Sequence, residues 1–268
     1  MDHRSSDALA SKIAHLHTFL KGLQKVAVAY SGGVDSTLLL YFSVQVLGPE
    51  NVLAFHGVSC LTGARRQEKA ESFFRAQFQK RLELRVIPVT PLTWQGVAEN
   101  SNRRCYYCKR GLYQRFLSEL ANRAGWHLVD GTNVDDLKQY RPGVEAIHEL
   151  HVATPLLTAG LTKAEIRFLA GKAGLPNHAE PSDSCLATRI EKGTRITAHL
   201  LDKIEQAESV LNTAGFCGTR FRIVRDCVHL EIQEQDMERF YCKDIRMLVQ
   251  QCAEELALGK VFLDVTGR

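Results

Sequence analysis

Several large protein classes are excluded by what this sequence lacks. No apolar run in its 268 residues approaches the ~18 that a membrane helix needs, so no transmembrane segment is expected. No apolar signal region stands behind Met1-Asp2-His3-Arg4-Ser5-Ser6-Asp7, so the expected location is the cytoplasm. There is no Lys/Arg-rich run and the net charge is only +4, which suits small anionic ligands better than nucleic acid. Internal repeats and low-complexity tracts are missing too. The eight cysteines include no second Cys-x-x-Cys and no His pair to complete a zinc site. In a reducing cytosol such thiols are chemical or buried rather than disulfide-linked. Cys60, Cys217, Cys227, Cys242 and Cys252 lie in or beside apolar segments and read as small buried hydrophobes.

What is there describes a globular chain. Hydrophobic content of 45% is enough for a core, and the length suits one large domain or a domain with a smaller companion. An amphipathic helix is expected over 7–21. Strands follow at 25–30, 51–59, 85–89 and 127–130, separated by helical patterns at 36–47, 64–79 and 105–124. This alternation implies an α/β fold, a parallel sheet with helices on both faces, with ligands at the carboxyl ends of the strands. Thr162-x-x-Glu165 is a capping box opening a short helix that Gly174 and Pro176 close. The stretch 177–194 reads as a polar loop. A boundary near its end gives domains 1–194 and 195–268, the second a small α+β domain. That domain is read as a helix at 197–213, a hairpin of 220–225 and 228–232, a helix at 236–256 and a strand at 261–265.

The most informative stretch joins the first strand to the next helix through Ser31-Gly32-Gly33-Val34-Asp35-Ser36-Thr37. A Gly-rich turn at a helix N-terminus is an anion site, because free N–H groups and the helix dipole point at the ligand. Gly32 and Gly33 allow close backbone approach, while Ser31, Ser36 and Thr37 add hydroxyl donors. Asp35 would repel phosphate unless it faced a metal, which suggests a Mg²⁺ ligand. The loop is neither a Walker A sequence nor a Gly-x-Gly-x-x-Gly fingerprint. It resembles the PP-loop of the ATP pyrophosphatases, which bind the pyrophosphate of ATP and transfer AMP to a substrate oxygen.

Ser59 and Asp130-Gly131-Thr132-Asn133 also fall at strand ends. Thr132 is open to nucleotide contact, and Asp135 and Asp136 to either Mg²⁺ binding or helix capping. Cys105-Tyr106-Tyr107-Cys108 suits a metal, a cluster, a redox pair or two helix-buried thiols. Cys185 lies in a polar loop beside Arg189 and Arg195, where nearby cations favour a thiolate, and a reactive or cluster-bound role is expected of it. Arg220 and Arg222 alternate with Phe221 and Ile223 on one strand. With Glu208 and Glu231 near, they read either as an anion-binding face or as a solvated one.

Together the strings 30–36, 104–109, 128–136, 141–146, 155–167, 181–190 and 261–265 resemble the LarE family of ATP-dependent sulfur transferases, which serve nickel-pincer nucleotide synthesis for lactate racemase. The string Ser184-Cys185-Leu186-Ala187-Thr188-Arg189-Ile190 is the most specific of them. The resemblance implies a PP-loop (adenine nucleotide alpha hydrolase-like) domain with a smaller C-terminal α+β domain. It implies AMP-forming activation of the carboxylates of pyridinium-3,5-biscarboxylic acid mononucleotide, followed by their thiolation. ATP would bind through Ser31, Gly32, Gly33, Asp35, Ser36, Thr37, Ser59, Gly131 and Thr132, with Mg²⁺ at Asp35. Arg189, Glu208, Arg220, Arg222 and Glu231 would face the substrate. One branch of the family spends a single cysteine, matching Cys185, as the sulfur donor. The other holds a [4Fe–4S] cluster, and Cys105, Cys108 and Cys185 imply that branch. A homo-oligomer is implied, without fixing its number or the source of sulfide. Family members tend to continue past the last strand, which puts contacts of such a tail in question here. The alternatives are a PP-loop enzyme thiolating tRNA and a nucleotide-binding regulator without chemistry.

Overall fold

The computed structural model describes residues 3–138, 141–180 and 183–268; the opening Pro181-Ser182 of the 181–190 string lies outside them. The chain divides into two compact units. One comprises Met1–Ser59, Ala64–Val89 and Cys105–Ser182, and the other Cys60–Gly63, Thr90–Arg104 and Asp183–Arg268. The second therefore begins before the expected boundary at 194 and takes in two short earlier segments. Its Asp183–Thr194 stretch belongs there because Ile190 bridges to Ile223 and Glu191 donates to the Ile223 carbonyl.

The first unit runs α1 (His3–Leu23), β1 (Lys25–Ala29), α2 (Val34–Leu47), β2 (Val52–Val58), α3 (Ala64–Phe78), β3 (Leu84–Pro88), α4 (Arg104–Leu120), β4 (Trp126–Val129), α5 (Pro142–Glu149), α6 (Pro155–Thr158) and α7 (Lys163–Lys172). The first residue of α4, Arg104, is counted with the second unit. The sheet has the order β3-β2-β1-β4 and every pairing is parallel, as the strand-helix alternation implied. Alternate residues feed two cores. Val26, Val28 and Ala54 face Leu38, Phe74 and Leu156, while Ala27, Phe55 and Leu128 face Tyr113, Phe116 and Ile147. Central β1 lies at the point where the order reverses, so its carboxyl end opens on the ligand side of the sheet. The capping box at Thr162 is present: its side chain accepts from Glu165 N and Glu165 reaches back to Thr162 N.

The second unit holds α8 (Ala198–Thr213), β5 (Arg220–Val224), β6 (Cys227–Glu231), α9 (Met237–Phe240), α10 (Lys243–Glu255) and β7 (Lys260–Leu263). β5 and β6 form the expected antiparallel hairpin, turned by Arg225 at φ +54°, and β7 runs parallel to β6. Phe221, Val228 and Leu230 are fully buried with Leu201, Ile204 and Leu211 of α8. The single helix expected over 236–256 is instead broken at Tyr241-Cys242. Cys242 N donates to the Arg239 carbonyl there, ending α9, and Cys242 becomes the N-cap of α10. Of the five cysteines read as buried, only Cys252 is. Cys60 and Cys227 are half-buried and Cys217 and Cys242 exposed, because they fall at turns and strand ends rather than on core faces.

Candidate functional site

Leaving β1, the chain turns through Ser31 and Gly32 into α2, whose N-cap is Gly33 with no side-chain cap. Gly32 has φ +80°, and a Cβ there would sit 2.6 Å from that of Ala70 on α3. The turn is held from inside. Ser36 Oγ donates to the Gly33 carbonyl at 3.0 Å and lies 3.2 Å from both Ser31 N and Ser31 Oγ. Thr37 Oγ1 donates to the same carbonyl at 2.9 Å. Asn177, 3% exposed, donates at 3.0 Å to both the Gly32 carbonyl and Thr37 Oγ1. Thr37 is thus a brace, fully buried, rather than an open donor. The arrangement leaves the start of α2 as an uncapped positive end suited to phosphate.

The β4 loop packs on this turn. A Cβ on Gly131 would lie 3.0 Å from Ser36 N and 3.1 Å from the carbonyl carbon of Asp35. Gly131→Ala must therefore push this turn aside by a few tenths of an ångström, and binding of inorganic pyrophosphate, read by calorimetry, should weaken about tenfold while circular dichroism stays native. Thr132, buried, gives its N–H (2.7 Å) and its hydroxyl to Asp130, so its side chain shapes the loop. Asp135 and Asp136 also cap: Asn133 N donates to Asp136, and the N–H of Lys163 donates to Asp135 at 2.6 Å. Ser59 follows β2, and its carbonyl accepts from Gln67 at 2.8 Å.

Asp35 has two partners that sequence spacing did not reveal. Asn133 Nδ2 donates to its Oδ1 at 3.2 Å, and Lys163 Nζ pairs with its Oδ2. Lys163 lies 128 positions away, at the start of α7, and the only signal for it was the capping box one residue earlier. A cation beside the phosphate loop, already paired with the carboxylate expected to hold Mg²⁺, can serve phosphate once a metal takes that carboxylate.

Cys105 and Cys108 fall in the first two turns of α4, three residues apart and so on one face; Cys105 is exposed and Cys108 half-buried. Two sulfurs on one helix face fit two donors of a cluster. One residue on, Lys109 meets Asp130 at 3.0 Å and Tyr113 at 2.8 Å, and Tyr113 also donates to Asp130. Burial would push the Asp130 carboxyl up, but Lys109 and the donors Thr132 and Tyr113 hold it below the usual range. That ties the cysteine helix to the β4 loop. Cys185 lies in the other unit, so the three cysteines come from both, and among the described residues no three His, Cys, Asp or Glu side chains gather as a metal site.

In the second unit Cys185 is the N-cap of a short 3₁₀ turn, Leu186–Arg189, and is half-buried. Arg195 is exposed, whereas Arg189 is 4% exposed. Arg189 grips Glu208 through two nitrogens at 2.9 and 3.1 Å, and its Nη1 holds the Ser184 carbonyl and hydroxyl at 2.9 Å. Glu208 Oε1 also accepts from Phe221 N at 3.1 Å. This pair, expected to face substrate, is spent on building the cysteine loop. Arg222 pairs with Glu231 and donates to the Thr188 carbonyl at 2.9 Å. Arg220 shares its strand face with Arg222, and its Nε is buried without a hydrogen-bond partner. Burial, and then Arg268, Arg189 and Arg222, push its pKa down to about 10. An unsatisfied guanidinium crowded by cations calls for an anion.

No family model matches the chain. It is 31% identical over 97% of its length, and 92% of the relative's, to the pyridinium-3,5-bisthiocarboxylic acid mononucleotide synthase of Lactiplantibacillus plantarum. The chain belongs to the LarE family. Members of this family are enzymes, and so is this chain. It is also 32% identical to an uncharacterized protein of Synechocystis sp. over 87% of the chain and 85% of that relative. Another uncharacterized protein, from Methanocaldococcus jannaschii, is 28% identical over 79% of each. These matches are too long to be confined to the turn between β1 and α2. Among the described residues no helix is long and apolar enough to cross a membrane.

Proposed function

We propose that this chain is an ATP-dependent, AMP-forming sulfur transferase acting on the carboxylates of pyridinium-3,5-biscarboxylic acid mononucleotide. The likeness to the Lactiplantibacillus plantarum synthase over 97% of the chain carries the reading. The geometry supports it in each unit. In the first, the uncapped start of α2 would bind the phosphates of ATP, Asp35 is the residue that would hold Mg²⁺, and Lys163 would meet the phosphate oxygens. The substrate carboxylate oxygen attacks the α-phosphorus and the bond to pyrophosphate breaks. The acyl carbon then carries AMP, a good leaving group. A sulfur nucleophile attacks that carbon and AMP departs with the former carboxylate oxygen; the second carboxylate follows the same course.

Sulfur handling belongs to Cys185. Cys105, Cys108 and Cys185 are the residues that would hold a [4Fe–4S] cluster, whose chemistry would be to supply a transferable sulfide. The chain's own part is to present Cys185 from a loop fixed by Arg189 and Glu208. Arg220 and Arg222 bind the phosphate of the mononucleotide, with Glu231 orienting Arg222.

Incubation with ATP, Mg²⁺ and the biscarboxylic mononucleotide should yield AMP, pyrophosphate and a product carrying sulfur in place of carboxylate oxygen. AMP formation without any sulfur-containing product, from protein purified and assayed without oxygen and supplied with sulfide, would sink the reading. Arg220→Met should raise KM for the mononucleotide about tenfold or more while KM for ATP holds, since the lost contact is to one substrate alone.

A further inference from the structure

The loop that presents Cys185 is gripped from a second side, by a segment outside the proposed chemistry. Residues 98–104 run along 187–196 within the second unit. Ile196 N donates to the Ala98 carbonyl at 2.7 Å and Gly193 N to the Asn100 carbonyl at 3.1 Å. Asn100 Nδ2 donates to the carbonyls of Ile190 at 3.2 Å and Glu191 at 2.8 Å. Its Oδ1 accepts from Arg104 Nη1, which also donates to the Ala187 carbonyl at 2.8 Å.

Two features mark this as more than filling. Asn100 is fully buried at φ +54°, a left-handed backbone that a non-glycine residue holds only when its surroundings impose it. Arg104 is 3% exposed, and its guanidinium bridges Asn100 to the Ala187 carbonyl of the cysteine loop. Among the described residues three guanidiniums hold the backbone of 184–188: Arg189 on the Ser184 carbonyl, Arg104 on Ala187 and Arg222 on Thr188. Backbone oxygens on both sides of Cys185 are therefore fixed, which sets where its sulfur stands. Arg104 is also the residue immediately before Cys105 in the chain.

We infer that Arg104, seated by Asn100, is a positioning residue for Cys185 in sulfur transfer. The inference rests on the reading of Cys185 given above. Its test uses the full chain, with Arg104→Met (similar volume, no donors) and Arg104→Lys (a donor restored). In metal-free protein, alkylation of Cys185 by iodoacetamide is timed by mass spectrometry against Cys217 of the same unit. With ATP, Mg²⁺ and the biscarboxylic mononucleotide, AMP and thiolated product are measured separately.

Arg104→Met should shift the Cys185 alkylation rate about tenfold, leave Cys217 and AMP formation within about twofold, and lower sulfur transfer about a hundredfold, as a misplacement near 1 Å does. Arg104→Lys should bring transfer back to within about tenfold of the unmodified enzyme. Unchanged Cys185 alkylation and transfer in Arg104→Met would overturn the inference, as would equal behaviour of Met and Lys, which would reduce Arg104 to packing. If Arg104→Met does not fold, Asn100→Gly keeps the left-handed backbone, strips the seat and must give the same split or the inference fails. Sulfur transfer surviving in Cys185→Ala would instead overturn the reading of Cys185 itself.

Discussion

Cys185→Ala is expected to keep making AMP and pyrophosphate while sulfur transfer drops by about a thousandfold or more, to background. On the proposed function the split arises because the two halves of the reaction use different residues. Activation would need the α2 turn, Asp35 and Lys163, and all of these lie in the first unit. Cys185 lies in the second, on a turn whose backbone is held by Arg104, Arg189 and Arg222. An alanine removes the sulfur without disturbing those bonds, since they run to carbonyls and not to the thiol. The outcome is the same whether Cys185 gives up its own sulfur or ligates a cluster. Iron and acid-labile sulfide content of protein purified without oxygen separates the two: about four irons per chain, lost in Cys105→Ala, indicates a cluster. Iron-free protein that loses the mass of H₂S at Cys185 during turnover indicates a spent cysteine. Transfer that persists in Cys185→Ala would remove this residue from the chemistry.

Asp35→Asn should cost AMP formation about a thousandfold, the larger end of what a preorganised electrostatic group contributes. The carboxylate is expected to hold Mg²⁺, and it also anchors Lys163 and Asn133 at the phosphate loop. Asparagine keeps the size and the contact with Asn133 but cannot neutralise Lys163. Lys163→Met should lower AMP formation by a smaller factor, about a hundredfold, since phosphate would lose one cation but keep the helix start. The measurement is pyrophosphate release at saturating ATP. An Asp35→Asn variant with unchanged release would place the metal elsewhere.

The first unit was largely legible because its signals are local. Alternating apolar strands and helices, Gly32 at a sharp turn and the capping box at Thr162 are written within a few residues of each other. Lys163 was not legible as a partner of Asp35, because only the parallel sheet brings the start of α7 to the end of β1. In the second unit the arginines of β5 were visible from alternation, but their division of labour was not. Arg189 and Glu208 satisfy each other, whereas Arg220 keeps an unpartnered nitrogen. Sequence composition counts charges and cannot say which ones already have partners. The break at Tyr241-Cys242 was missed because apolar periodicity continues across it, and the Asn100–Arg104 contacts because their partners lie about ninety positions on.

The discontinuous second unit carries a consequence for biosynthesis. Thr90–Arg104 leaves the ribosome well before Asp183–Arg268, the partner that Asn100 and Arg104 grip. At ordinary translation speeds the gap is about 4 to 16 seconds, during which Asn100 and Arg104 lack the partners they hold in the folded unit. A fragment starting at Asp183 would lack that strap altogether, along with Leu61, whose carbonyl accepts from Leu186 N at 2.8 Å. The cysteine loop thus acquires its shape late, once α8 and β5 have joined the segment that ends at Arg104.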